Sequence, residues 1–334
     1  MAVIEQELTD WYALYNADCM EVMPDLKAES VGFCVHSPPF PELYQYSNDP
    51  RDMSNCVTYE EGLDQYRLIA KEIYRLMKPG RIAAVHCMDL KKGTYYQRDF
   101  PGDIVRIYQE AGFHFFCRVT IRKDPWLIAR RTRMRGLMHK MIVQDSSLCR
   151  MAGPDYVMVF RKGGNNPEPI THPHGLKEYA GELPIPEELL EEFGNFKGDQ
   201  RKNRLSHWIW RRYADPVWDD IRTGRLLPYE DTKENEEEAH VCPLQLDVID
   251  RCLTLWSNPG DVVLTPFLGV GSEAYGAVRM GRKAIGMELK STYYRQARLN
   301  VRKALEPQGG ELPFLPNIDE DGLTDEVEAM EGAE

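Results

Sequence analysis

Six short runs along the chain are almost wholly apolar: "SVGFCVH" (30–36), "RIAAVHC" (81–87), "FHFFCRVTI" (113–121), "DYVMVF" (155–160), "DVVLTPF" (261–267) and "KAIGMEL" (283–289). Their length and their β-branched and aromatic content predict strands. Between some of them the spacing becomes helical. In "TYEEGLDQYRLIAKEIYRLMKPG", the apolar positions Leu63, Tyr66, Ile69, Ala70, Ile73 and Met77 recur every few residues on one helix face. Thr58 followed by Glu61 makes a capping box at its start, and Lys78-Pro79-Gly80 is expected to stop it. Further helices are expected over 102–111, 243–257, 272–280 and 290–305. Strands alternating with helices predict an α/β fold, a mostly parallel sheet with helices on both faces. In such sheets ligands bind beyond the carboxyl ends of the strands.

From about 163 to 242 the alternation breaks. This stretch opens with "KGGNNPEPITHPHG" and contains "RKNRLSHWIWRRYADPVWDDIR", where bases and aromatics interleave. It is expected to form an inserted lobe over 163–240, between core halves at 1–162 and 241–306. Residues 307–334 hold nine acids and no base, the pattern of a disordered tail.

Charge changes this picture only once it is located. The net charge of −12 speaks against a nucleic-acid partner at first sight. Much of it lies in the tail and in "YEDTKENEEEA" (229–239), which holds six acids and one lysine. The segment "RVTIRKDPWLIARRTRMRGLMHK" (118–140) holds eight Lys or Arg against one Asp. It is either an electrostatic footprint for phosphates or a solvated face with internal ion pairs. The eight cysteines include no C-x-x-C pair, so they are expected as small buried hydrophobes rather than zinc ligands or disulfides. No apolar run approaches the ~18 residues of a membrane span. The N-terminus has no basic region before an apolar one, and a cytosolic location is expected.

Two unusual loops fall at strand ends. The first is "HSPPF", where a buried strand stops on Ser37 and runs into Pro38, Pro39 and Phe40. It is either a plain turn or a pocket for a flat ring. The second is "TPFLGVGSEAYGAVRMGRKAIGMEL". Gly269 and Gly271 would let the backbone pass close to a ligand, Ser272 would cap the next helix, and Glu288 ends the following strand. Gly269-x-Gly271-x-x-Ala274 with Glu288 nearly satisfies a dinucleotide fingerprint, so an NAD-type oxidoreductase is one reading. Against it, little chain follows for a second mononucleotide half. The aromatic Phe267 directly before the glycines suits S-adenosylmethionine (SAM).

Taken together, Ser37-Pro38-Pro39-Phe40 and "TPFLGVGSEAYGAVRMGRKAIGMELKSTYYRQA" resemble the two motifs of the DNA amino-methyltransferases, the N4-cytosine and N6-adenine group. The catalytic motif precedes the SAM motif, as in the permuted β class. "HVCPLQLDVIDRCLTLWSNPGDVVLTPF" is similar to methylases encoded by phages and prophages. The resemblance implies a Rossmann-like SAM-dependent methyltransferase sheet, with the inserted lobe as target-recognition region. It implies that Ser37 and the Pro38 carbonyl bind the exocyclic amine of a flipped base and that Phe40 stacks on it. Thr265, Pro266, Phe267, Gly269, Gly271 and Ser272 would form the SAM loop, Glu288 would hold its ribose, and Asp18 would contact its adenine end. The chain departs from the family at Thr265, where an Asp usually stands, so no charge there meets the methionine ammonium of SAM.

Ser in the first motif position resembles the cytosine enzymes, and N6-adenine is the alternative. The implied partner is double-stranded DNA, reached through Arg130, Arg131, Arg133 and Arg135 and through Arg211 and Arg212. Arg204, His207, Trp208 and Trp210 would share in recognition, or the tryptophans pack inward. Tyr44 and Tyr46 would line the base pocket or simply pack their loop. A homodimer and a cognate restriction endonuclease are further partners compatible with the family. A non-catalytic DNA-binding relative that kept the fold is the remaining reading, supported by Thr265.

Overall fold

The computed structural model describes residues 3–41, 49, 51–93, 96–126, 128, 139–194, 203–229 and 243–306. Eleven strands occur among them: β1 (Glu5–Leu8), β2 (Tyr12–Asn16), β3 (Val31–His36), β4 (Met77–Met88), β5 (Leu90–Lys92), β6 (Tyr96–Arg98), β7 (His114–Ile121), β8 (Asp155–Arg161), β9 (Val217–Trp218), β10 (Val262–Thr265) and β11 (Lys283–Glu288). Nine form one sheet in the order β1-β2-β11-β10-β3-β4-β8-β7-β9, and β5-β6 is a separate hairpin. The β2-β11, β11-β10, β10-β3 and β3-β4 pairings are parallel. β8 runs antiparallel between β4 and β7.

All six expected strands are present, each within a few residues of its predicted limits. β3 is buried at every position, as a strand covered on both faces must be. Alternate residues divide between two cores. Phe33, Val35, Ile82 and Ala84 face one core, with the helices Leu246–Trp256, Ser272–Arg279 and Ser291–Lys303. Cys34, Ala83 and Val85 face the other, with the helices Tyr59–Leu76 and Phe100–Glu110. The capping box is present, Thr58 accepting from the Glu61 amide while the Glu61 side chain reaches back. The helix stops earlier than its sequence predicts. Met77 is already extended and Lys78-Pro79-Gly80 belong to β4, with Gly80 at φ 72°.

The 163–240 stretch is tied to the core as well as inserted into it. β9 pairs with β7, and Trp218, Ile221 and Leu227 pack into the main core. A smaller cluster of Leu176, Leu189, Leu205, Ile209 and Tyr213 carries the rest. Cys19, Cys34, Cys87 and Cys252 are buried, whereas Cys56, Cys117 and Cys149 are half-buried. Among the described residues no helix is long and apolar enough to cross a membrane. Tyr44, Tyr46, Arg130, Arg131, Arg133, Arg135, Cys242 and the 307–334 tail lie outside the described residues.

Candidate active site

The parallel strands deliver their following loops to one edge of the sheet. Asp18 lies beyond β2, Glu288 ends β11, the glycine loop follows β10, and Ser37 follows β3. These are four adjacent strands, so at ~4.8 Å per strand they line a span of about 14 Å. A cavity of about 510 Å³ runs along this edge. Ser37, Pro38, Pro39, Phe40, Asp18, Pro266, Phe267, Gly269, Ser272 and Glu288 all line it. Two stretches more than 200 residues apart in the chain therefore share one wall.

Individual positions differ from their simplest reading. Gly269 has φ 53° and open space where a Cβ would stand, as a loop facing a ligand requires. Gly271, at φ 91°, is glycine for packing: a Cβ there would meet Ala297 Cα at 3.1 Å and Val301 Cγ2 at 3.2 Å. Thr265 is only 1% exposed, and its hydroxyl donates to the Phe267 carbonyl at 3.4 Å. The Phe40 ring meets Phe100 edge-on, 5.9 Å away, while still lining the cavity. Phe267 packs on His36 and Tyr66, at 5.7 and 6.2 Å.

The acids on the wall are held by the backbone. Asp18 accepts from the Met20 amide at 2.8 Å and caps the helix Cys19–Val22. Glu288 accepts from the Gly269 amide at 2.8 Å and from the Lys290 amide at 2.9 Å. Burial outweighs those two bonds and pushes Glu288 up to about 7. A carboxylate offers about four acceptor sites, so two remain for a ligand's hydroxyls.

The motif serine belongs to a network that no single segment of sequence reveals. Ser37 Oγ lies 3.2 Å from His86 Nδ1, and His86 Nε2 lies 2.8 Å from Asp155 Oδ2. Lys123 forms an ion pair with the same Asp155 oxygen. Burial pushes Asp155 up, but Lys123 and His86 outweigh it and hold the carboxyl at about 2. Asp155 can then only accept, so His86 Nε2 carries the hydrogen. With His86 neutral, Nδ1 is the acceptor and the Ser37 hydroxyl donates to it; an imidazolium would instead donate to Ser37 Oγ. The preceding His36 is a structural anchor. It is fully buried against the Tyr66 hydroxyl at 2.8 Å, and burial holds it down at about 3, hence neutral.

The proposed DNA-contact residues separate. On the helix Arg204–Ala214, Leu205, Ile209 and Tyr213 face inward. Trp208 packs on Tyr179 at 4.8 Å, as an inward tryptophan would. Trp210 is 56% exposed, and His207 and Arg211 share its outward face. Arg212 is committed to Asp219 and Asp220, and Arg204 pairs with Glu192 at 3.0 Å.

Residues 31–299 match the DNA methylase family. The chain belongs to the DNA methylase family. It is 24% identical over 289 residues to the type II methyltransferase M.BamHI of Bacillus amyloliquefaciens, covering 84% of this chain and 55% of that one. The chain thus spans about half the length of that relative. The TTHA0409 protein of Thermus thermophilus, solved with S-adenosyl-L-methionine, superposes with a TM-score of 0.56. It is 20% identical and covers 87% of this chain and 95% of its own. PvuII DNA methyltransferase, cytosine-N4-specific, gives a TM-score of 0.53 at 15% identity, covering 98% of this chain and 94% of its own. Both share the fold of this methylase.

Proposed function

We propose that this protein transfers a methyl group from SAM to the exocyclic amine of a base flipped out of double-stranded DNA, with cytosine N4 favoured over adenine N6. The observation that carries this reading is the single cavity wall that joins the Ser37 corner to the glycine loop and Glu288. The residues present fit SAM. Gly269 lines the cavity with open space where a Cβ would stand, Glu288 retains acceptor capacity for two ribose hydroxyls, and Asp18 stands one strand further along for the adenine end.

When bound, SAM supplies a methyl group on a sulfonium, an electrophile that needs no further activation. The acceptor amine is the weaker reactant, because its lone pair is delocalised into the ring. Ser37 Oγ and the Pro38 carbonyl accept its two N–H groups and favour a pyramidal nitrogen. Proline fixes φ at this point and so holds the carbonyl in place. Because the Ser37 hydroxyl is turned to His86, its oxygen faces the amine as an acceptor. As the amine proton moves onto Ser37 Oγ, the serine proton moves to His86 Nδ1. Asp155 stabilises the resulting imidazolium and stays ionised, being held at about 2. Phe40 supplies a stacking surface for the flipped base, worth roughly 1–3 kcal/mol, which offsets part of the unstacking.

The outward face of Arg204–Ala214, with His207, Trp210 and Arg211, is the part of the 163–240 lobe assigned to DNA contact. The preference for cytosine rests on the first-position serine. Incubation with labelled SAM and mixed-sequence DNA, then digestion to nucleosides, should yield N4-methylcytosine by mass spectrometry. N6-methyladenine would correct the base. No transfer, under conditions where SAM binds, would overturn the activity.

A further inference from the structure

The family's usual acid before Pro-Phe is absent, and Thr265 cannot replace its charge. Its hydroxyl is turned back onto its own loop. The same cavity contains an acid that the family motif does not call for. Glu273 is the second residue of the helix Ser272–Arg279 and lines the cavity. It is 5% exposed. Among the described residues no basic side chain pairs with it, and its carboxylate draws only on its own backbone amide. The cavity's nearby arginine is committed elsewhere: Arg51 pairs with Asp49 at 2.8 Å and with Glu21 at 3.4 Å. Beside Glu273, Ser272 does not cap its helix as the sequence predicts: the N-cap is Gly271, and the buried Ser272 hydroxyl has no hydrogen-bond partner among the described residues. A carboxylate buried without a cation is unfavourable unless something completes it. The helix N-terminus relieves that only in part.

We propose that Glu273 is the acid that pairs with the methionine ammonium of SAM, in place of the carboxylate missing at Thr265. The charge has moved eight residues along the same loop and helix, from the buried Thr265 position to one that lines the cavity. Ser272, with its free hydroxyl, is placed to accept from or donate to the same amino-acid end. This assignment rests on SAM being the methyl donor.

The test is equilibrium binding by calorimetry to the full chain, wild type and Glu273→Gln, with three probes. SAM carries both the ammonium and the sulfonium. S-adenosylhomocysteine keeps the ammonium and has a neutral sulfur. 5′-Methylthioadenosine lacks both charges. Glu273→Gln should weaken SAM and S-adenosylhomocysteine by a similar factor, roughly tenfold or more as for a lost charge-assisted hydrogen bond. Its affinity for 5′-methylthioadenosine should match wild type, which also shows that the variant is folded. A loss for SAM alone would assign Glu273 to the sulfonium and overturn the proposal. So would equal loss for all three probes, or no loss for any. If wild type fails to bind SAM, the cofactor reading itself falls.

Discussion

If Ser37, His86 and Asp155 act as one proton path, removing two of them should hurt no more than removing one. Among the described residues, Ser37 reaches Asp155 through a single contact, the 3.2 Å bond to His86 Nδ1. General-base help contributes about 10²–10⁴ in rate, or about 2.7–5.4 kcal/mol at 1.36 kcal/mol per decade. Ser37→Ala and His86→Ala should each therefore slow single-turnover methyl transfer by roughly 10³-fold. Independent contributions would multiply to about 10⁶ in the double variant. A shared path predicts about 10³ for the double as well, a coupling of about 4 kcal/mol. The assay is single-turnover transfer from labelled SAM at saturating DNA. Anisotropy confirms that DNA binding survives, and a thermal melt confirms folding. Multiplicative losses, or wild-type turnover in His86→Ala, would refute the path.

Further outcomes follow from the geometry and from the charge pattern of the sequence. Gly271→Ala places a Cβ at positive φ and against the Ala297 backbone, so it should lose about 2–5 kcal/mol in urea denaturation. Gly269→Ala meets open space and should lose only about 1–2 kcal/mol, while weakening SAM binding more than Gly271→Ala does per unit of stability lost. Burial raises Glu273 to about 8 and Glu288 to about 7 from an ordinary 4.5, with Cys34 below Glu273 and with Lys290 and Asp52 facing Glu288. Between those values the folded state binds protons that the unfolded chain has released, so ligand-free stability should fall as pH rises from about 4.5 to 8. Gln at both positions should flatten the thermal-melt profile, and an unchanged slope would contradict the assignment. Removing the charges of Arg130, Arg131, Arg133 and Arg135 should lower the salt slope of DNA binding by about 0.9 for each phosphate they neutralise; an unchanged slope would mean these residues do not touch DNA.

The parts that sequence made legible are those with a local cause. β3 and β10 announce themselves by apolar runs, Thr58 and Glu61 by a capping box, and Ser37 and Gly269 by short motifs at strand ends. The unforeseen parts depend on contacts between distant segments. β1, β2 and β9 are short, and β9 is a strand only because β7 offers it an edge. Gly271 reads as a ligand-facing glycine until the helix Ser291–Lys303 is laid against it. Phe267 and Phe40 look equally available to a ligand, yet one leans on His36 and Tyr66 and the other on Phe100. His86 is visible in the sequence only as a polar residue near the end of an apolar run. Its partner Asp155 follows from the antiparallel register of β8 against β4, which no local pattern specifies.

That register also explains why the site is divided as it is. Along β3, β4, β8 and β7, the side chains Val35, Ala84, Val157 and Ile121 share one core face. The next position of the same parity at the site edge of each strand is Ser37, His86, Asp155 and Lys123 in turn. Side chains two apart on a strand point the same way, so the polar network continues four apolar columns where the sheet emerges from its core. On the other side of β3, the strands β10, β11 and β2 contribute the glycine loop, Glu288 and Asp18. In the proposed mechanism, proton handling thus lies to one side of Ser37 and cofactor contact to the other. The two meet at the β10–β3 ladder, where Val263 pairs with Phe33 and Leu264 with Cys34. Chain order is irrelevant to this arrangement, because strand neighbours rather than sequence neighbours set it. A change that loosens this ladder should therefore impair SAM binding and turnover together, whereas a change at His86 should impair turnover alone.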